Sequence, residues 1–514
     1  MLAAGSIVTL TWPDYAVLAL YLVCTLLLAM WMGRGSSSSL GSYFFAGRKA
    51  PWIIVCVSII ATDTSAISYM GVPGWVYAKD LKFAAGSVLM PPVMLIVVLL
   101  FVPLFFRLKV CTVYEYLEKR FHPAARTVTA ILFLFLRGIH LGAAIYIPAV
   151  AFRTFIGIPE FWCILLIGTL TTLYTLKGGM NAVIWTDFLQ FVVMFGSLLL
   201  MICMLLSSFH WNISGTWTAA SKIISPLTGT PHTTLWDPSL SLKTESTVWA
   251  LTAFYVTYYV GTYGADQVIV QRYFTMSSYK EIARSVLASG FLNVLVMAAL
   301  AYAGLLLTVY YVSHPSLLAT LHKADEILPN YVTHDLPHGL QGLIFAALVA
   351  ATMSVLSAGL NSFSTVAVMD LYRRYGPGRM ASERRCLWMA KIFTILFGAL
   401  LTAVAVWVST LHRPILEVFN QLASMFIGPI TGIFLLGVLT ERGNLMGVLT
   451  GAPAGLVMSF LLNYYYFFTE KVNWMWTAPV SCLTTLVIGY IISVVVPFAA
   501  PVPAAAPVAI ADAQ

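Results

Sequence analysis

Charge is what this chain has least of. Only 9% of its 514 residues are Asp, Glu, Lys or Arg, where soluble domains carry about 25%. So little charge cannot coat a water-exposed surface. With 60% of the residues hydrophobic, the chain reads as a polytopic membrane protein. Its polar stretches are too short to hold a separate catalytic domain. Cysteine is sparse and unpatterned. The seven, at 24, 56, 111, 163, 203, 386 and 482, show no paired spacing and fall mostly in apolar segments, which argues against a disulfide framework or a zinc site. The nine histidines gather at no one depth, so no metal-ligand or nucleophile–base cluster points to an enzyme. No Lys or Arg precedes Arg34, and no cleavable signal peptide is expected.

What the chain does have is a series of apolar segments long enough to span a bilayer, about 20 residues each. Thirteen are expected, near 13–33, 52–78, 83–106, 124–152, 160–176, 181–206, 247–271, 283–311, 340–371, 386–410, 415–440, 444–464 and 474–497. Basic residues favour alternate loops: Arg34, Arg48 and Lys49; Arg107 to Arg126; Lys177; Arg272 to Arg284; Arg373 to Arg385; Arg442. The positive-inside rule then puts the N-terminus outside and the C-terminus in the cytoplasm. The net charge of +8 reflects topology in a cell membrane, and no nucleic-acid partner is expected. The loops 207–246 and 312–339 are expected to form short lids. The Ala/Pro-rich tail 498–514 is expected to be a disordered cytoplasmic tail.

Two spans carry interruptions. Residues 61–74 read ATDTSAISYMGVPG: an acid (Asp63), hydroxyls (Thr62, Thr64, Ser65) and a Gly-Val-Pro-Gly run inside an apolar segment. Glycine and proline weaken helix, and freed backbone is tolerated in a membrane only inside protein or beside a polar cavity. The alternative is a plain Pro/Gly kink. The second interruption, TYYVGTYGADQ around Gly261, Gly264 and Asp266, comes five spans later. That spacing suits two inverted five-helix repeats, each beginning with a discontinuous helix. The repeats are expected at about 52–206 and 247–440, with the spans 13–33, 444–464 and 474–497 peripheral.

Several polar residues stand out in the spans. Ser354 and Ser357, in ATMSVLSAGLNS, share a helix face and offer oxygen ligands to sodium; the ordinary reading is that they pack helices closely. Asp187 is an intramembrane acid, serving an ion path or a structural pair. Arg137 needs an anion, which is Asp63, Asp187 or a substrate carboxylate. His140 reads as a packing histidine. Arg272, in ADQVIVQRYF, reads as an interfacial anchor or an inner-gate ion pair.

Together these stretches resemble the sodium:solute symporter family. ATDTSA with GVPG is similar to the first core helix of its proline, multivitamin and iodide branches. YTLKGGMNAVIWTD resembles the stretch around the fourth and fifth core helices. ADQVIVQRYF resembles the sixth, and FAALVAATMSVLSAGLNSFSTVAVMDLY the eighth. The resemblance runs in order over about residues 10–460. It implies an all-α, LeuT-like 5+5 inverted repeat with broken first and sixth core helices, working as a sodium-coupled symporter of a small organic solute. It implies a sodium site from the carbonyls of Ala61, Thr64 and Ala351 and the Ser354 hydroxyl. A second sodium site, in some members, would correspond to Asp187, Ser354 and Ser357. Two positions depart from the family: Val355 and Ala358 stand where it has hydroxyls. Solute contacts are expected at Asp63, Ser65, Ser87, Arg137 and Asn420. Ser87 without a nearby acid speaks against a simple hexose, and Arg137 favours a monocarboxylate, a sugar acid such as sialic acid, or an amino acid. Proton coupling in the same fold and a passive channel are the competing readings.

Overall fold

The computed structural model describes residues 10–35, 39–108, 110–315, 324–375, 381–410, 415–469 and 472–497. The tail 498–514 lies outside them, as does the side chain of Asn420, whose backbone is helical. The described chain is helical throughout its spans; its only β-type pairing is an isolated bridge between Ile224 and Pro231.

At the centre stands the helix Leu340–Val366, every residue of which is buried from Ile344 onward. A helix apolar all round belongs inside a bundle, and this one is wrapped by the helices Glu160–Ser208, Pro123–Ile156, Trp12–Met32 and Glu383–Ser409. The outward faces of the peripheral helices, such as Leu20, Leu396, Leu461 and Ile491, form the apolar surface a bilayer covers.

Glu160–Ser208 is continuous in hydrogen bonding over 49 residues. A straight helix of that length would run about 70 Å, more than twice the roughly 30 Å hydrocarbon core. It is not straight. Tyr174 donates to Met353 O (3.1 Å) while Asp187 accepts from Ser354 (2.8 Å), so two residues thirteen apart meet neighbouring positions of one partner. The chain turns back at Gly179, whose φ of 56° and ψ of −157° favour glycine.

Among the described residues, nine helices are long and apolar enough to cross a membrane singly, ten if the bent pair Leu40–Arg48 and Trp52–Asp63 counts as one. Dividing 160–208 at Gly179 turns one span into two. The helices Trp52–Asp63 with Ala66–Ala78, Val248–Gly264 with Gln267–Tyr273, and Ile415–Leu439 supply three more, which accounts for the thirteen expected segments.

Both breaks are present, and the first lies elsewhere in its stretch than the glycines suggest. The helix stops at Asp63, and Thr64 (φ −89°, ψ 90°) and Ser65 (φ −83°, ψ 171°) are extended. The Gly71-Val-Pro-Gly74 run sits inside the helix Ala66–Ala78. Its small residues serve packing: a Cβ on Gly304 would meet Pro73 Cα at 2.7 Å and Pro73 O at 2.8 Å. Gly304→Val is therefore expected to push this half-helix off its neighbour and destabilise the fold by about 1–3 kcal/mol, read as a lowered melting temperature in detergent. An unchanged melting temperature would show that this contact is slack. The second break falls at Ala265–Asp266, and the Asp266 carboxylate caps the next helix by accepting from Val268 N–H (2.8 Å).

Candidate functional site

The break in the first helix frees specific backbone groups. Thr64 N–H still bonds Ile60 O (2.9 Å), and Tyr69 N–H bonds Ser65 O (3.0 Å). Among the described residues, Ser65 N–H makes no bond to Ala61 O and Thr64 O receives none from Ser68. Buried carbonyls of this kind call for another partner.

Beside the break lies a fully buried charged cluster. Ser58 and Thr62 share one face of the helix Trp52–Asp63. Arg272, on the second half of the other broken helix, donates from Nε to Ser58 Oγ (2.8 Å) and from Nη2 to Thr62 Oγ1 (2.5 Å) and Asp187 Oδ2 (2.8 Å). Its Nη1 donates to Val268 O (2.5 Å). The same Asp187 oxygen accepts from Ser58 (2.6 Å), and Asp187 Oδ1 accepts from Ser354 (2.8 Å). Arg272 and Asp187 are both 0% exposed. Arg272 is thus no interfacial anchor. It is the buried counter-ion of Asp187, and the pair joins both broken helices to the hairpin 160–208 and the central helix. A charge at that depth persists only when paired and hydrogen-bonded. Gln271 adds a tie, donating to Phe44 O, Asn361 Oδ1 and Thr365 Oγ1 at 2.8–3.0 Å.

The serines divide their roles. Ser354 gives its proton to Asp187, which leaves its oxygen lone pairs available to an electropositive partner. Ser357 donates to Ser354 O (3.0 Å). Val355 and Ala358 are 1% exposed and bring no oxygen.

Above the cluster opens a cavity of about 160 Å³. Asp63, Thr64, Ser65 and Val355 line its deep side, with Arg137, His140 and Asn293. Tyr255, Tyr258 and Tyr259 form an aromatic wall, and Trp75, Phe83 and Trp474, all at helix ends, line the mouth. Clefts for drug-sized ligands run to roughly 300–1,000 Å³, so this smaller one suits a small solute. Asp63 Oδ2 accepts from Asn293 Nδ2 (3.3 Å), and Asn293 Oδ1 accepts from Tyr259 (3.5 Å).

Arg137 corrects one expectation. Its carboxylate is neither Asp63 nor Asp187: Nε lies 3.4 Å from Asp266 Oδ2, because the second break turns Asp266 toward the helix Pro123–Ile156. His140, read as a packing residue, also lines the cavity. Ser87 is buried in the turn Gly86–Leu89, which lays Gly86 against the Tyr255 ring; this stretch presents Phe83 to the cavity, not Ser87. Asn293 and Ser58 went unremarked in the sequence, and Thr62 was noted only as one hydroxyl of the interrupted stretch. A lone asparagine in an apolar span was the available signal for the first, and the i,i+4 hydroxyls for the others.

At the opposite end of the bundle, a second buried ion pair packs the helices together. Asp370 accepts from Arg126 Nε (2.6 Å) and Thr112 (2.6 Å), and Glu118 bridges Arg126 (2.8 Å) and Arg374 (2.6 Å).

A multi-pass helical bundle with two discontinuous helices, buried charge at both breaks and a cavity reaching the first of them is a secondary transporter. Comparison with known proteins gives the family. A model described as the sodium:solute symporter family matches residues 43–455, and the chain belongs to that family. Among relatives, the sodium/sialic acid symporter SiaT of Proteus mirabilis is 30% identical over 93% of this chain and 94% of its own. The human sodium/iodide cotransporter is 29% identical over 87% and 69%. A solved structure of a Na+-coupled sialic acid symporter, in a substrate-bound outward-open state, superposes with a TM-score of 0.85 at 28% identity over 95% of this chain and 98% of that one. The chain is a transporter and not an enzyme. Sodium is its co-transported ion, and its solute is a small organic molecule.

Proposed function

We propose that this protein imports a small carboxylic acid with sodium, by alternating access, and that the structure is its outward-facing form. The observation that carries this reading is the cavity in which the Arg137 guanidinium and the freed backbone of the first broken helix face one space. Arg137 receives the carboxylate. Sodium binds the carbonyls of Ala61, Thr64 and Ala351 and the Ser354 hydroxyl, a hard oxygen set, and holds the broken helix against the central one. The N-terminus lies outside, so the cavity mouth faces outward and the Asp370 cluster closes the cytoplasmic end. The two repeats span about 52–206 and 247–440. Relatives of similar identity are named for sialic acid and for iodide, so the solute class rests on the cavity; a sugar acid such as sialic acid, a monocarboxylate and an amino acid are the first to try.

The test is uptake into proteoliposomes under a sodium gradient, with potassium as control. Concentrative uptake only with sodium is expected. Uptake in sodium-free acid buffer would mean proton coupling, and equilibration without concentration would mean a channel; either sinks the proposal. Val355 supplies a second prediction. It borders the cavity beside Ser354, and Val355→Ser would add a hydroxyl to a ligand set that is short of one. The sodium concentration for half-maximal uptake is expected to fall several-fold. An unaltered value would mean that water or Asp63 already completes the shell.

A further inference from the structure

The proposed site carries an unbalanced charge, and that charge says what kind of acid fits it. Arg137 and Asp266 cancel as an ion pair. His140 counts as neutral, as histidine ordinarily is at pH 7. Asp63 remains, with one negative charge on the same cavity. One sodium ion at the broken helix restores neutrality. A solute with no net charge keeps the loaded cavity neutral, whereas a monoanion leaves an unpaired charge where water is excluded and such charges are most costly.

The hydrogen bonds point the same way. Arg137 Nε is buried and makes no hydrogen bond among the described residues, its distance to Asp266 being 3.4 Å, so the guanidinium has donors to spare for a second carboxylate. Asp63 is held by Asn293 and Tyr263. Tyr259 donates to Asn293 Oδ1, which fixes the amide so that its Nδ2 donates to Asp63 Oδ2. The Tyr263 hydroxyl is a second donor within reach of the carboxylate, and neither neighbour cancels its charge. A guanidinium with donors to spare and a charged carboxylate across the same space match the two ends of one molecule.

We infer that the solute is a zwitterion, such as an amino acid or a betaine, with its carboxylate on Arg137 and its cationic group on Asp63, and that Asn293 positions Asp63 for this contact. The inference rests on the cavity being the solute site, as proposed above. It also makes transport electrogenic: one sodium and one net-neutral solute move one positive charge.

Proteoliposomes on a solid-supported membrane test it, with proline, other amino acids and glycine betaine as zwitterions, pyruvate and N-acetylneuraminate as anions, and glucose as a neutral solute. A zwitterion is expected to give a sodium-dependent inward current of one charge per solute, with anions competing at least tenfold more weakly. Asp63→Asn is expected to raise the zwitterion concentration for half-saturation at least tenfold and to leave that for sodium within twofold. A retained sodium-induced thermal shift shows that the variant is folded, and the wild-type current is decisive by itself. Preferred, current-free uptake of pyruvate or N-acetylneuraminate would overturn the zwitterion while leaving sodium-coupled import of an acid standing. Preferred uptake of glucose would overturn it too. An Asp63→Asn variant that loses sodium affinity and keeps solute affinity would assign the carboxylate to the ion, and so overturn it. No sodium-dependent binding of any of these solutes would bring down the proposed function itself.

Discussion

Arg272→Met is expected to abolish sodium-coupled uptake and to destabilise the protein by about 3–5 kcal/mol, the usual cost of stranding one member of a buried ion pair. The chain of causes is local. Without the guanidinium, the Asp187 carboxylate keeps its charge at 0% exposure with only hydroxyl donors from Ser58, Ser354 and, at 3.5 Å, Thr62. Val268 O loses its donor as well. Asp187→Asn on its own strands Arg272 in the same way. The double variant removes both charges, so its melting temperature should recover most of the loss while transport stays absent, since the tie between the two broken helices is gone. Melting temperatures of the two single variants and the double variant give the coupling energy directly. A single variant as stable as the wild type would show that water reaches the pair, and that it does not organise the site.

The existence of this cluster was partly legible in the sequence. Asp187 and Arg272 are charges inside apolar spans, and such residues are rare enough to mark function. Their partnership was not legible, because they lie 85 positions apart and meet only once the hairpin at Gly179 folds back. The same limit explains Arg137, which was short of an anion in the sequence and finds Asp266 through the turn of the second break. The break falls inside the stretch 61–74 expected for it, but Gly71, Pro73 and Gly74 do not mark it, for a physical reason: glycine and proline disrupt isolated helices, whereas here the lack of a side chain on Gly304 lets Pro73 approach closely, and packing decides. Thr64 and Ser65, where the chain does unwind, carry no strong local signal against helix. The bundle itself was read well, since hydropathy reports span length regardless of partner.

The net charge of the solute also decides how much work the gradient can do. One positive charge falling through 100 mV releases about 2.3 kcal/mol, and a tenfold sodium gradient about 1.4 kcal/mol. A zwitterion moved with one sodium can draw on both, enough for a several-hundredfold concentration ratio. A monoanion moved with one sodium carries no net charge, forfeits the voltage, and reaches about tenfold. The unpaired Asp63 therefore bears on energetics as well as recognition.

Ser354→Ala is expected to raise the sodium concentration for half-maximal uptake about tenfold or more, with solute affinity at saturating sodium nearly unchanged. The serine is fully buried on the central helix, one turn from Ala351 and next to Val355, which lines the cavity with Thr64. Its proton is already committed to Asp187 Oδ1, which turns its lone pairs toward any cation held by the freed carbonyls. Removing it deletes one proposed neutral ligand of the ion and one donor to Asp187, each worth about 1–3 kcal/mol. The two losses can be told apart. Loss of the ligand shifts sodium dependence alone, whereas weakening of the Asp187 cluster lowers the melting temperature even in potassium. Ser354→Cys keeps a weak donor to Asp187 but offers sodium a soft, poor ligand, so it should restore the melting temperature in potassium and leave the sodium defect in place. If both variants keep the wild-type sodium dependence, the ion does not bind between the broken helix and Ser354, and its site must be sought elsewhere in the bundle.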